Sequence, residues 1–170
     1  MLNKNIFPIT FMIIISILFV FSVSTAAEDK TPKEYVEYIY ENYADQNFKE
    51  VYANFALEVK QLITEKEYIE FQKQNFSKYS LEYRNINVDD LKELDYDQFK
   101  NEFPFLKDEG DFYSLKVSYL LRFKRFGDRE EETEKRVYLR SNNFSNNNKV
   151  LQLFWDPEPI LKNKNSESVN

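Results

Sequence analysis

The sequence contains no cysteine and no histidine, and its only two glycines are Gly110 and Gly127. The absence of cysteine excludes disulfide bonds, thiolate metal sites and thiol nucleophiles. The absence of histidine removes the most common general base and metal ligand. Two isolated glycines cannot build the glycine-rich loop that holds phosphate groups. The sequence therefore offers no motif for a cofactor or for a metal site.

The remaining composition is that of one folded domain with an acidic surface. Of the 170 residues, 42% are hydrophobic and 31% are charged, and the formal net charge is -6. A chain of this length and composition can bury a sizeable core. The negative charge disfavours nucleic acid and anionic membrane surfaces as partners, because their phosphate groups would be repelled.

Residues 1–26 have the pattern of a signal peptide. A positive charge at Lys4 precedes an apolar run over residues 11–21, and small residues follow up to Ala26. This order predicts export with cleavage near Ala26. The alternative is an uncleaved anchor, since residues 6–23 reach the lower limit for spanning a bilayer. We therefore expect a protein that is secreted or held at the outer face of the cytoplasmic membrane, with the membrane as a partner only if the leader stays uncleaved.

Three short amphipathic helices are predicted after the leader. Capping boxes mark the start of two of them, at Thr31 and at Thr64. The other begins near Asp45 and carries apolar side chains at helical spacing from Phe48. Of the many aromatic residues, Tyr35 falls outside the apolar stripe of the first helix. We interpret such rings as ligand or protein contacts, or as single exposed side chains.

Strands are predicted in the second half of the chain. The first runs from Leu81 to Val88 with an irregularity at Asn85. The clearest is Tyr113–Phe123, in which alternate residues are apolar. The last, Val150–Trp155, is apolar on both faces, which predicts a central or covered position with Trp155 largely buried.

The segments between and after these strands are polar. Residues 89–111 are predicted to form an acidic connector with one helical turn and a short strand. Residues 162–170 are predicted to be a disordered tail. For the hairpin, a three-residue loop is preferred because it pairs Phe126 with Glu130 and Arg122 with Glu134. A two-residue loop would place apolar side chains opposite glutamates.

Helices followed by antiparallel strands predict a single α+β domain over residues 27–161. This order resembles the nuclear transport factor two-like (cystatin-like cone) domains. The ending Leu151-Gln152-Leu153-Phe154-Trp155-Asp156-Pro157 is similar to the closing strand of the amino-terminal domain of some Gram-positive penicillin-binding proteins. The resemblance implies amino-terminal short helices packed on a curved antiparallel sheet with a concave pocket. No Ser-x-x-Lys motif occurs, which excludes a penicillin-binding catalytic domain.

Tyr113, Tyr119 and Asp156 are the candidate binding residues. The resemblance implies that enzymes of this superfamily use aspartate or tyrosine inside the cone, where these three residues would form an acid/base pair. The alternative is that both tyrosines pack on the sheet and that Asp156 only ends a strand. We predict no catalytic residue from the sequence itself.

Two charged regions allow a functional and a structural interpretation. The acidic segments at residues 95–97 and 108–111 carry the oxygen ligands that calcium prefers, but neither has the spacing of an EF-hand loop. Solvated acidic loops are therefore favoured. The basic stretch at residues 122–140 suits an acidic polymer such as wall teichoic acid. Four glutamates within it favour a neutralised, solvated hairpin face.

These observations lead to one main functional hypothesis. We expect an exported, non-enzymatic domain that binds a protein or polymer partner in the bacterial cell envelope. Export without cysteine fits the outer face of a Gram-positive cell, where disulfides are not relied upon. The first alternative is a small-molecule binder or a simple acid/base enzyme that uses the concave sheet pocket. The second is a structural or immunity-type module whose acidic surface masks a basic partner.

Overall fold

The computed structural model describes residues 30–144 and 148–167. The predicted signal peptide over residues 1–26 and the last three residues of the predicted tail lie outside the described residues. Within the described ranges, no helix is both long enough and apolar enough to cross a membrane.

The described residues form six α-helices and four β-strands, which confirms the α+β class. Four helices come first, and the strands follow with one helix inserted and one helix at the end. In chain order the elements are α1 Pro32–Ala44, α2 Phe48–Ala53, α3 Leu57–Leu62, α4 Glu65–Tyr79, β1 Leu81–Leu94, α5 Tyr96–Glu102, β2 Asp111–Phe123, β3 Arg129–Phe144, β4 Asn148–Phe154 and α6 Glu158–Glu167.

The two predicted capping boxes are confirmed, and a helix between them was missed. At α1, the Thr31 hydroxyl accepts from the Glu34 N–H at 3.3 Å, and the Glu34 carboxylate accepts from the Thr31 N–H at 2.8 Å. Thr64 caps α4 in the same way. Helix α3 was not predicted, because its N-cap is Ala56, which has no side-chain acceptor to mark a start.

The strands form one curved antiparallel sheet in the order β1-β2-β3-β4. The first four helices cover one side, which we call the helix-packed face. Buried aliphatic side chains from adjacent strands meet there, including Leu115, Val117, Leu139 and Leu153. The predicted irregularity in β1 is confirmed, since Asn85 has a φ of 51° and the pairing with β2 is interrupted there. This face and the helices enclose the main core.

The opposite face of the sheet carries a second, smaller layer around α5. The Phe99 ring lies 4.5 Å from the ring of Phe112 and 4.9 Å from that of Phe154, measured between centroids. The expected acidic connector over residues 89–111 is therefore wrong in its details. Residues 89–94 continue β1, and the helix after them has seven residues because Asp95 caps it and Phe99 anchors it.

Strand β4 lies at the edge of the sheet, yet it is covered as predicted. Its outer edge is closed by a turn after α2: the Leu153 N–H donates to the Asn54 carbonyl and the Ala56 N–H donates to the Leu153 carbonyl, both at 2.9 Å. Phe154 is buried on the opposite face. Trp155 is largely buried, as predicted: its ring lies 5.6 Å from that of Tyr43 and 5.9 Å from those of Phe55 and Tyr68, and its remaining surface lines a cavity.

The predicted hairpin register is wrong. Arg122 pairs with Glu130 and Phe123 with Arg129, so the loop contains five residues, 124–128. The first three form a 3-10 turn, and Gly127 and Asp128 adopt left-handed backbone angles, which close a longer loop than charge pairing suggested. The shift in pairing is an even number of residues, so the same side chains still share a face.

The C-terminal segment also departs from the expectation. In place of a disordered tail starting at Lys162, helix α6 continues to Glu167. Ile160 is buried against the core, and the Lys164 ammonium lies 2.6 Å from a Glu67 carboxylate oxygen on α4. One apolar anchor and one ion pair therefore hold this polar sequence against α4.

Candidate functional site

A cavity of about 1000 Å³ lies between α4, the helix-packed face of the sheet and α6, and its lining also includes Glu102 and Phe103 near the end of α5 and Phe154 on the opposite face of the sheet. Aromatic side chains dominate its walls: Tyr79 from α4, Tyr83 from β1, Phe123 from β2 and Trp155 after β4. This volume is at the upper end of the range for small-molecule sites.

Buried tyrosines form the inner end of the cavity. The Tyr43 hydroxyl donates to the side-chain oxygen of buried Gln72 at 2.7 Å. The Tyr43 ring lies 5.2 Å from the Tyr83 ring and 5.6 Å from the Trp155 ring. Burial raises the pKa of Tyr43 and of Tyr83 far above the ordinary tyrosine value. These hydroxyls are therefore neutral at physiological pH and act as hydrogen-bonding groups.

Lys135 supplies a positive charge on the cavity wall. It lies on β3 two residues from buried Val137, and alternate residues of a strand share a face, so its side chain lies on the helix-packed face. Its side chain is exposed to solvent, while desolvation by the surrounding protein lowers its pKa and the charge of Asp156 opposes that effect. In the described part of the chain, Lys135 makes no ion pair within 4 Å.

The opening of the cavity is polar. Asp156, Glu158, Glu102 and Arg136 all contribute to its lining. An Asp156 carboxylate oxygen accepts from the Glu158 N–H at 2.9 Å and so fixes the start of α6. An aromatic interior with a few charged groups at the entrance is an arrangement suited to an amphipathic ligand.

The three candidate residues predicted from the sequence do not meet in one place. Tyr119 is buried in the core, with its ring 4.8 Å from that of Tyr83. Tyr113 is six residues away on the same strand, about 20 Å at the usual rise per residue. It borders a smaller cleft beside α5. Only Asp156 lines the large cavity. The acid/base pair suggested for these residues is not assembled.

The charged segments are used in structural contacts. Asp95 caps α5 through the Gln98 N–H at 2.8 Å. Among the described residues, no group of three acidic side chains is placed to hold a metal ion. In the basic stretch, Arg122 contacts Asp128 and lies 3.8 Å from Glu130, and Arg129 contacts Glu131. The hairpin charges are largely neutralised within the chain.

Two aromatic residues of different helices, Tyr35 on α1 and Phe48 on α2, both lie in the main core. Tyr35 was expected outside the apolar stripe, but it is buried and its hydroxyl donates to the Asn54 side chain at 3.0 Å. Phe48 is buried as expected. Tyr35 therefore does not contribute to an exposed contact surface.

Sequence reasoning missed the residues that give the cavity its polarity, Lys135 and Gln72. The signal for Lys135 was present, because it lies two residues from apolar Val137 and alternate residues of a strand share a face. Gln72 carried no signal, because its role depends on Tyr43, 29 positions earlier in the chain.

No model of a known protein family matches the chain, and no curated protein matches it. The function has to be argued from the cavity itself.

Proposed function

We propose that this protein is an exported, non-enzymatic binding domain whose cavity accepts an apolar or aromatic group of a partner in the bacterial cell envelope. The observation that carries the proposal is the cavity of about 1000 Å³ between α4, the sheet and α6, with its aromatic walls. The signal-peptide pattern of residues 1–26 supports export. The resemblance to the nuclear transport factor two-like domains supports the use of the concave side of the sheet.

The chemistry of the walls suits binding by contact and burial. Rings such as Tyr79, Phe123 and Trp155 offer large apolar area and lose little conformational entropy when a ligand packs on them. Gln72 and Tyr43 already satisfy each other at the inner end, so an apolar group entering there leaves no unpaired buried polar group between them.

The placement of the titratable groups supports binding over catalysis. A general base must lie within hydrogen-bond reach of its substrate and have a pKa near the working pH. Tyr43 and Tyr83 line the cavity, but burial raises their pKa values well above that range. Asp156 is occupied in capping α6. The acid/base alternative therefore has no assembled pair of groups to support it.

The test is calorimetric titration of the purified full chain with 4-phenylbutan-1-ol, a neutral probe with an aromatic ring and a short apolar chain. Trp155 is the only tryptophan, so a change in its emission reports binding at the cavity. We expect saturable binding accompanied by such a change.

A pair of variants on α4 locates the binding. Asn75 lines the cavity and Gln74 is exposed outside it. Asn75→Tyr should fill part of the cavity and weaken probe binding about tenfold, which corresponds to about 1.4 kcal/mol. Gln74→Tyr should leave the affinity unchanged. Absence of saturable binding to the folded protein, or equal affinities for both variants, would contradict the proposal.

A further inference from the structure

Lys135 occupies a position at which the sheet otherwise presents apolar side chains. On β2 its partner across the ladder is Val117, which is fully buried, and its same-face neighbour on β3 is Val137. Trp155 and Pro157 also line the cavity. A lysine at this point places an ammonium group on an apolar wall.

The chain supplies no counter-ion in contact with this ammonium. Among the described residues, Lys135 has no carboxylate oxygen within 4 Å. The nearest acidic influence is Asp156, whose carboxylate is held by the Glu158 N–H. Two cations on the same strands have carboxylate partners: Lys116 lies 3.1 Å from Glu134, and Arg140 is bound by Glu58. Arg136, which also lines the cavity, donates to the Ser114 hydroxyl at 3.4 Å.

Lys135 stays exposed to solvent although it lines the cavity, so its ammonium is accessible to an entering group. Desolvation by the surrounding protein lowers its pKa, and the charge of Asp156 opposes that effect. An anion in the cavity would form a charge-assisted hydrogen bond with this ammonium.

We propose that the group bound in the cavity is an amphipathic anion, with an apolar or aromatic body against the aromatic walls and one carboxylate-type charge on the Lys135 ammonium. This inference rests on the proposed function, since it names the chemistry of the ligand for the same cavity. Glu102, Asp156 and Glu158 at the opening disfavour ligands that carry several negative charges, because the excess charge would face these carboxylates.

The test compares three probes that share one body and differ in the charge of the head group: 4-phenylbutanoate, 4-phenylbutan-1-ol and 4-phenylbutylamine. Each is titrated into the purified full chain at low salt near neutral pH. We expect the carboxylate to bind about tenfold more tightly than the alcohol, and the amine to bind most weakly.

Two lysine variants assign the preference to a residue. Lys135→Met keeps the length of the side chain and removes the charge, so it should abolish the preference for the carboxylate and retain binding of the alcohol. It should also fold, because it replaces an exposed side chain by one of similar length. Lys116→Met, on the opposite face of the sheet, removes the same charge outside the cavity and should retain the preference.

The other outcomes contradict either the inference alone or both the inference and the proposed function. Binding of the alcohol without a preference for the carboxylate overturns the inference and leaves the proposed function standing. A preference that persists in Lys135→Met, or is lost equally in Lys116→Met, also overturns the inference, because long-range charge would then explain it. Absence of binding by all three probes overturns both proposals.

Discussion

Arg140 on β3 binds Glu58 on α3 through two hydrogen bonds, of 2.5 and 3.0 Å, between buried side chains that lie 82 positions apart in the chain. The same guanidinium donates to the Gln152 side-chain oxygen on β4 at 2.7 Å. Burial alone would raise the pKa of Glu58, but the hydrogen bonds and charge of Arg140, together with backbone hydrogen bonds, outweigh it and lower that pKa. This interaction fixes α3, a helix without a side-chain cap, against the edge of the sheet.

Breaking this pair from one side should be strongly destabilising. Glu58→Ala leaves a buried guanidinium without its carboxylate, and we expect a loss of about 3–5 kcal/mol in the free energy of unfolding. Urea unfolding followed by circular dichroism measures this loss. Replacing both partners, as Glu58→Leu with Arg140→Met, should cost clearly less, because no buried charge is then left unpaired.

The exposed pair between Glu158 and Lys162 is the matched control for that experiment. Its removal through Glu158→Gln should cost no more than about 0.5 kcal/mol, as for other exposed helical pairs. Equal effects of Glu58→Ala and Glu158→Gln would show that the buried pair does not fix α3.

Glu67 should make the stability depend on pH in acid. Hydrogen bonds from Lys164 and from the Thr64 backbone and side chain lower its pKa from 4.5 to about 2. Because the folded-state pKa is the lower one, this stabilisation is complete above about pH 4.5 and is lost as the pH falls toward 2. Glu67→Gln should therefore reduce the fall in melting temperature over that interval.

The exposed neighbour Glu70 provides the control for the acid titration, because Glu70→Gln removes the same charge from a solvent-facing site on α4. Melting temperatures of all three proteins are compared between pH 7 and 2. If Glu67→Gln follows the wild-type curve throughout, the carboxylate does not link α6 to the start of α4.

Removing the hydroxyl group should have opposite effects on the free energy of unfolding at two buried tyrosines. The Tyr68 hydroxyl is buried and has no hydrogen-bond partner among the described residues, so Tyr68→Phe should be neutral or stabilising by up to about 1 kcal/mol. Tyr43→Phe leaves the buried Gln72 oxygen without its donor and should cost about 1–3 kcal/mol. Denaturant unfolding of the two variants tests the difference, and a larger loss for Tyr68→Phe would contradict it.

The leader prediction is tested by the mass of the protein that cells accumulate. We expect the form recovered from the culture medium or the wall fraction to begin near residue 27, because small residues directly follow the apolar run. Intact-mass spectrometry gives the start point. Recovery of only the full-length chain from the membrane would favour the uncleaved anchor.

Local signals predicted much of the fold. The capping boxes at Thr31 and Thr64 depend on residues three positions apart, and both were identified correctly. The alternation in β2 identified its buried face in the same way. The hairpin register was missed, because a 3-10 turn before Gly127 set the loop length where cross-strand charges had suggested another pairing.

The candidate site depended more on tertiary structure. Of the three candidate residues, only Asp156 lines the cavity. Tyr113 and Tyr119 lie six positions apart on β2, and Tyr119 is buried in the core. Gln72 and Arg140 acquire their roles from distant partners that no local pattern indicates.

The proposed function requires that the cavity bind the aromatic group of a ligand. A crystal structure of the full chain with 4-phenylbutan-1-ol shows where the probe lies. We expect electron density for the phenyl ring between α4 and the sheet, in contact with Trp155 and Tyr79. Density for the probe only outside this cavity, or an unoccupied cavity at saturating probe concentration, would contradict it.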